Sequence, residues 1–121
     1  MKVFMTFRDT LPPEGRLSPN DDVVSNNGRF QLILQSDGNL VLYDNNGGGH
    51  KPIWSSGTQG QAVNNCVMQS DGNLVIYGFS NPIWSSGTQG HPNAYLRVQD
   101  DGNMVIYPMA PSLWATNTVQ S

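Results

Sequence analysis

With 121 residues, 37% hydrophobic content, 13 glycines and 8 prolines, the chain is long enough for one self-supporting core and is composed for short strands rather than long helices. Six lysines and arginines face nine acidic residues, for a net charge of -3. No basic stripe is available for nucleic acid or an anionic membrane surface, so neither partner is expected.

The start, Met1-Lys2-Val3-Phe4-Met5-Thr6-Phe7-Arg8-Asp9, offers a lead-in strand over 3–7, which Arg8 and Asp9 close too soon for a secretory leader. No run approaches the ~20 apolar residues of a spanning helix, so no membrane insertion is expected. The expected location is the cytoplasm, or the exterior by a route without a signal peptide. Two turn clusters follow, Leu11-Pro12-Pro13-Glu14-Gly15 and Ser18-Pro19-Asn20-Asp21-Asp22, with Leu17 and Val23-Val24 as short buried strand fragments. Ser25-Asn26-Asn27-Gly28 then turns the chain into Arg29-Phe30-Gln31, the outer strand of a hairpin.

The next phrase organises the chain. Gln35-Ser36-Asp37-Gly38-Asn39-Leu40-Val41-Leu42-Tyr43 recurs over 69–77 and 99–107, and the Gln, Asp, Asn, Val and Tyr at alternate positions never change. A three-residue loop with Gly38 in the left-handed position of a bulge pairs Gln35 with Asn39, Ile33 with Val41 and Gln31 with Tyr43. In that register the invariant residues share one face. The other face reads Leu32, Leu34, Leu40, Leu42, then Cys66, Met68, Leu74, Ile76, then Leu96, Val98, Met104, Ile106, all apolar, as a half-buried hairpin requires. Cys66, the single cysteine, therefore reads as a small buried hydrophobe.

Beyond Tyr43 lies a Gly-rich loop, Asp44 to Pro52, four residues longer than its counterpart after Tyr77. It leads to Ile53-Trp54-Ser55-Ser56-Gly57-Thr58-Gln59-Gly60, repeated verbatim from Ile83 to Gly90 and loosely at Leu113-Trp114-Ala115-Thr116. Each unit is thus a hairpin followed by a Trp-bearing strand, a repeat that cannot bury its apolar face alone. Closing three units about a pseudo-threefold axis buries all three faces and removes most free edges. Trp54, Trp84 and Trp114 are expected near that axis, and residues 1–121 are expected to form one domain.

The triplicate Gln-x-Asp-x-Asn-x-Val-x-Tyr phrase with intervening Trp strands resembles the bulb-type, snowdrop-like mannose-binding lectins over about residues 11 to 117. The resemblance implies an all-β fold, the type II β-prism, with three four-stranded antiparallel sheets about a pseudo-threefold axis, and one shallow mannose site per sheet without metal or other cofactor. Carried over by position, Gln35, Asp37, Asn39, Val41 and Tyr43 form one site. Gln69, Asp71, Asn73, Val75 and Tyr77 form the second, and Gln99, Asp101, Asn103, Val105 and Tyr107 the third. Asp37 and Asn39 would meet the axial 2-hydroxyl, Gln35 the 3-hydroxyl, Tyr43 the 4-hydroxyl, and Val41 the ring carbons. The partners implied are mannose-containing glycans and glycoproteins, crosslinked by three sites per chain. The family's paired-cysteine bridge is impossible with Cys66 alone. Its exchange of C-terminal strands would fall to Asn117-Thr118-Val119-Gln120-Ser121, giving a homodimer.

The residue types suit the task. A hexose presents hydroxyls that donate and accept above apolar C–H faces, and the motif offers a carboxylate acceptor, two amides, a phenol and a methyl surface. Turn chemistry alone explains Asp37, Gly38 and Asn39, but not Gln, Val and Tyr on one face in three copies. Glycoside hydrolysis would need paired carboxylates, and each copy offers one recurrent Asp, so no enzyme is expected. His50 and His91 lie apart in loops and read as solvated rather than metal-binding. The alternative is a prism that recognises polypeptides, as an adaptor, inhibitor or toxin, with sugar binding secondary.

Overall fold

The structure, a computed structural model, describes residues 4–109. Its strands are β1 (Thr6–Arg8), β2 (Thr10–Leu11), β3 (Arg16–Leu17), β4 (Asp22–Val24), β5 (Phe30–Leu34), β6 (Leu40–Asp44), β7 (Lys51–Ser55), β8 (Asn65–Met68), β9 (Leu74–Tyr77), β10 (Pro82–Ser85), β11 (Tyr95–Val98) and β12 (Met104–Tyr107), with one 3-10 turn at Asn46–Gly48. They form three sheets, ordered β1-β4-β5-β6-β7, β3-β8-β9-β10 and β2-β11-β12. The expected all-β, three-sheet architecture is present.

Strand number differs from the expected four in the first sheet. In the first sheet β1 adds a fifth strand, parallel to β4, with Phe7 opposite Val23. It begins at Thr6, later than the lead-in strand read over 3–7. The third sheet has three strands among the described residues; its expected fourth, around Leu113–Thr116, lies outside them, as do Trp114 and the segment considered for strand exchange.

The first thirty residues lace the sheets together. β2 pairs with β11, β3 with β8 and β4 with β5, so each sheet receives an N-terminal strand, and the first takes β1 as well. Leu11, Leu17 and Val23 stand six residues apart, and each is fully buried. A strand of two or three residues contributes few hydrogen bonds, so one buried side chain and a longer neighbouring strand must hold each in place.

Hairpin registers follow the alternation of the sequence. Gln31 faces Tyr43 and Ile33 faces Val41; Asn65 faces Tyr77 and Val67 faces Val75; Tyr95 faces Tyr107 and Arg97 faces Val105. The apolar face meets in one core containing Leu32, Leu34, Leu40, Leu42, Cys66, Met68, Leu74, Ile76, Leu96 and Val98, with Met104 and Ile106 partly buried against it. Trp54 and Trp84 pack on that core edge to face, their ring centroids 5.7 Å apart. Burial pushes the Cys66 thiol up to about 12, leaving it a neutral apolar side chain at physiological pH.

Candidate functional site

Each hairpin reverses through the same three-residue loop. The Gln35 N–H donates to the Asn39 carbonyl (2.8 Å) and the Gly38 N–H to the Gln35 carbonyl (3.0 Å), with Gly38 at φ 96°. Gly72 and Gly102 take the same left-handed conformation, at 94° and 90°. This bulge sets the parity that gathers residues 35, 37, 39, 41 and 43 on one face.

The gathered side chains bond to one another in all three copies. The hydroxyls of Tyr43, Tyr77 and Tyr107 donate to Oε1 of Gln35, Gln69 and Gln99, so tyrosine and glutamine lie on the same side of each sheet. The Gln Nε2 donates in turn to the Asp carboxylate, at 3.2 Å in the first and second copies and 3.3 Å in the third. Asp Oδ1 also accepts the Asn N–H, at 2.9, 3.0 and 2.9 Å. The Asn103 N–H, and after it the Gln99 amide, hold the Asp101 carboxyl below the usual carboxylate range. Each patch thus presents an oriented carboxylate, two amides and a phenol before any ligand arrives.

Asn39 and Asn73 are held from behind by residues that the motif does not contain. Asn39 Oδ1 accepts from Ser56 Oγ and the Thr58 N–H, both at 3.2 Å, while Thr58 Oγ1 donates to the Gly38 carbonyl at 2.6 Å. Ser86 and Thr88 do the same for Asn73 and Gly72. With its oxygen occupied, each asparagine turns its Nδ2, which has no partner among the described residues, toward donation. The verbatim Ser-Ser-Gly-Thr repeat is the sequence signal for this support.

Val41 and Val75, each 3% exposed, form the floor of their patches, while Val105 is more open. His50, read from sequence as a solvated loop residue, is exposed, and its ring also stacks on Tyr43 with centroids 3.8 Å apart and 12° between planes. Its Nδ1 lies 2.7 Å from Asn45 Oδ1. At the second copy, Gln69, Asp71 and Tyr77 open instead into a cavity of about 590 Å³ whose walls include Glu14, Arg16 and Phe79. No group of three or more His, Cys, Asp or Glu among the described residues is placed to hold a metal ion.

No family model matches the chain. By sequence it is 38% identical over 58 residues to the B-type lectin plumieribetin of Scorpaena plumieri, covering 47% of each chain. The chain spans about half or less of the length of the relatives matched in this way. Among solved structures it is similar to the mannose-specific agglutinin of snowdrop, Galanthus nivalis, complexed with methyl-alpha-D-mannoside. That match has 42% identity and a TM-score of 0.71, and it covers 93% of this chain and 99% of the agglutinin. It is also similar to a monomeric monocot mannose-binding lectin from Gastrodia elata, with 43% identity, a TM-score of 0.74, and 84% and 88% of the two chains covered.

Proposed function

The chain belongs to the bulb-type mannose-binding lectin family, and from that premise we propose that it binds mannose and mannose-containing glycans through its three Gln-x-Asp-x-Asn-x-Val-x-Tyr patches. The observation that carries this reading is the threefold recurrence of one bonded constellation, Tyr to Gln to Asp to Asn, on the outer face of each sheet. A turn needs none of the Tyr–Gln pairing, whereas a polyhydroxylated ring needs donors and acceptors converging on a small patch.

Binding rather than catalysis follows from the carboxylates. The first and third patches each carry one recurrent Asp. At the second, Glu14 shares the cavity with Asp71, but it lies 3.9 Å from the Arg16 guanidinium, and its side chain is 55% exposed. It therefore does not form, with Asp71, the enclosed carboxylate pair that glycoside hydrolysis needs. Shallow patches bind a single sugar weakly, and three on one chain convert that into avidity for branched glycans, which they would crosslink.

The test is a mannose titration by calorimetry of the native chain and of a variant carrying Asn39→Asp, Asn73→Asp and Asn103→Asp. These changes keep the oxygen that Ser56 and Ser86 address and remove the free amide donor. The native chain is expected to bind three mannoses, and the variant none, with an unchanged circular dichroism spectrum. Equal binding by the folded variant would refute the assignment. Glycoprotein binding that mannose fails to displace would favour the polypeptide-recognition alternative.

A further inference from the structure

We propose that the second patch is an extended site for a neutral oligosaccharide of at least two linked hexoses, with the terminal mannose on Gln69, Asp71 and Tyr77 and the next ring against Phe79. This rests on the mannose reading of the motif and adds a subsite to it.

The starting point is the loop that follows each motif tyrosine. After Tyr43 it is long, and His50 covers the tyrosine ring. Asn45 holds His50 in place and donates from its Nδ2 to Gln31 Oε1 at 3.3 Å, while Arg29 pins Asp44 through Nε at 2.8 Å. After Tyr77 the loop is four residues shorter and turns back at once, the Gly78 N–H donating to the Asn81 carbonyl at 2.8 Å. Nothing corresponding to His50 is present there, and Tyr77 lines the open cavity.

That cavity, about 590 Å³, lies within the range of roughly 300 to 1,000 Å³ usual for small-molecule sites. It runs from three motif residues to walls that include Glu14, Arg16 and Phe79. Phe79, on its rim, is 74% exposed, a large apolar face with no core to pack against. Such a ring offers a platform for the C–H face of a pyranose.

Glu14 and Arg16 also line the cavity, and Glu14 is fixed by hydrogen bonds to the backbone. The Glu14 N–H donates to the Met68 carbonyl (2.6 Å), the Met68 N–H to the Gly15 carbonyl (3.0 Å), and the Ser70 N–H to Glu14 Oε2 (2.9 Å). Glu14 holds a left-handed φ of 67°, rare for a non-glycine residue, to make these bonds. Together the pair supplies an acceptor and a donor with no net charge, which suits neutral hydroxyls and gives an anionic sugar no advantage.

The experiment uses the full chain with Asn39→Asp and Asn103→Asp, leaving only the second patch intact. Calorimetric titration with methyl mannoside and with a linear mannotriose is expected to give roughly tenfold tighter binding of the triose. Adding Phe79→Ala is expected to abolish that gain while leaving the monosaccharide affinity within about twofold. In nuclear magnetic resonance spectra the Phe79 ring signals should move with the triose and not with the monosaccharide. Equal affinities for the two sugars, or a gain that survives Phe79→Ala, would overturn the subsite and leave the mannose reading standing. Absence of monosaccharide binding at this patch would remove both.

Discussion

The first and second repeats carry the same five motif residues, the same hairpin register and the same Ser and Thr support behind the asparagine, yet their surroundings diverge. In the first, a Gly-rich loop folds His50 over Tyr43. In the second, a short loop leaves Tyr77 facing a cavity walled by Glu14, Arg16 and Phe79. The shared part is dictated by backbone geometry and repeats faithfully. The divergent part sits in loops, where length can change without disturbing the sheets. On the proposed reading, recognition of a single sugar would stay constant while the reach beyond it differed between these two patches.

The largest expected effect tests what the two copies share. A Cβ at Gly38 or Gly72 would run into a backbone oxygen, that of Gln61 or His91 respectively, and both glycines have positive φ. Gly38→Ala and Gly72→Ala should each destabilise the fold by about 3 kcal/mol or more, read from denaturant midpoints. Gly102→Ala meets the Phe30 ring at 2.9 Å instead, and a side chain can yield, so its loss should be smaller. Equal losses at all three positions would show that the backbone contacts do not set the cost.

A smaller effect tests what they do not share. His50→Ala removes a ring stack from the first patch alone, and should cost under about 1 kcal/mol of stability. With Asn73→Asp and Asn103→Asp silencing the other patches, monosaccharide affinity should stay within about twofold. A larger loss would make His50 a sugar contact rather than a cover.

The smallest effect is acid loosening of the first loop. Asp44 is held below the usual carboxylate range, chiefly by its hydrogen bond from Arg29. A depressed carboxyl stabilises the folded loop above the unfolded carboxylate pKa, and that contribution fades as pH falls through the lower folded value. The Tyr43 and His50 ring signals should therefore shift together below about pH 4, and the Tyr77 signals should not. Simultaneous movement of all three would point to global acid unfolding.

The hairpins were legible because alternation leaves little freedom: once Gly38 is given its bulge, Gln35 and Tyr43 must share a face and Leu40 must turn inward. The N-terminal strands were not. Leu17 and Val23 read as buried fragments, but nothing local says that β3 joins β8 while β4 joins β5, because such short strands are placed by distant partners. Their six-residue spacing with Leu11 is the one regularity that hints at it. The support from Ser56 and Thr58 was hidden for a related reason, since a verbatim repeat marks a segment as constrained without saying what it touches. His50 stacks on Tyr43 because three consecutive glycines, Gly47-Gly48-Gly49, let the loop double back, a freedom with no periodic signature.

The lacing of the first thirty residues also bears on biosynthesis. β2 leaves the ribosome ahead of every hairpin, but its neighbour β11 follows some eighty residues later. β2 must wait without that partner while those residues emerge, although β1, β4 and β5 can pair much earlier. In truncated nascent chains the β2 segment should therefore stay protease-sensitive until the third hairpin has cleared the exit tunnel.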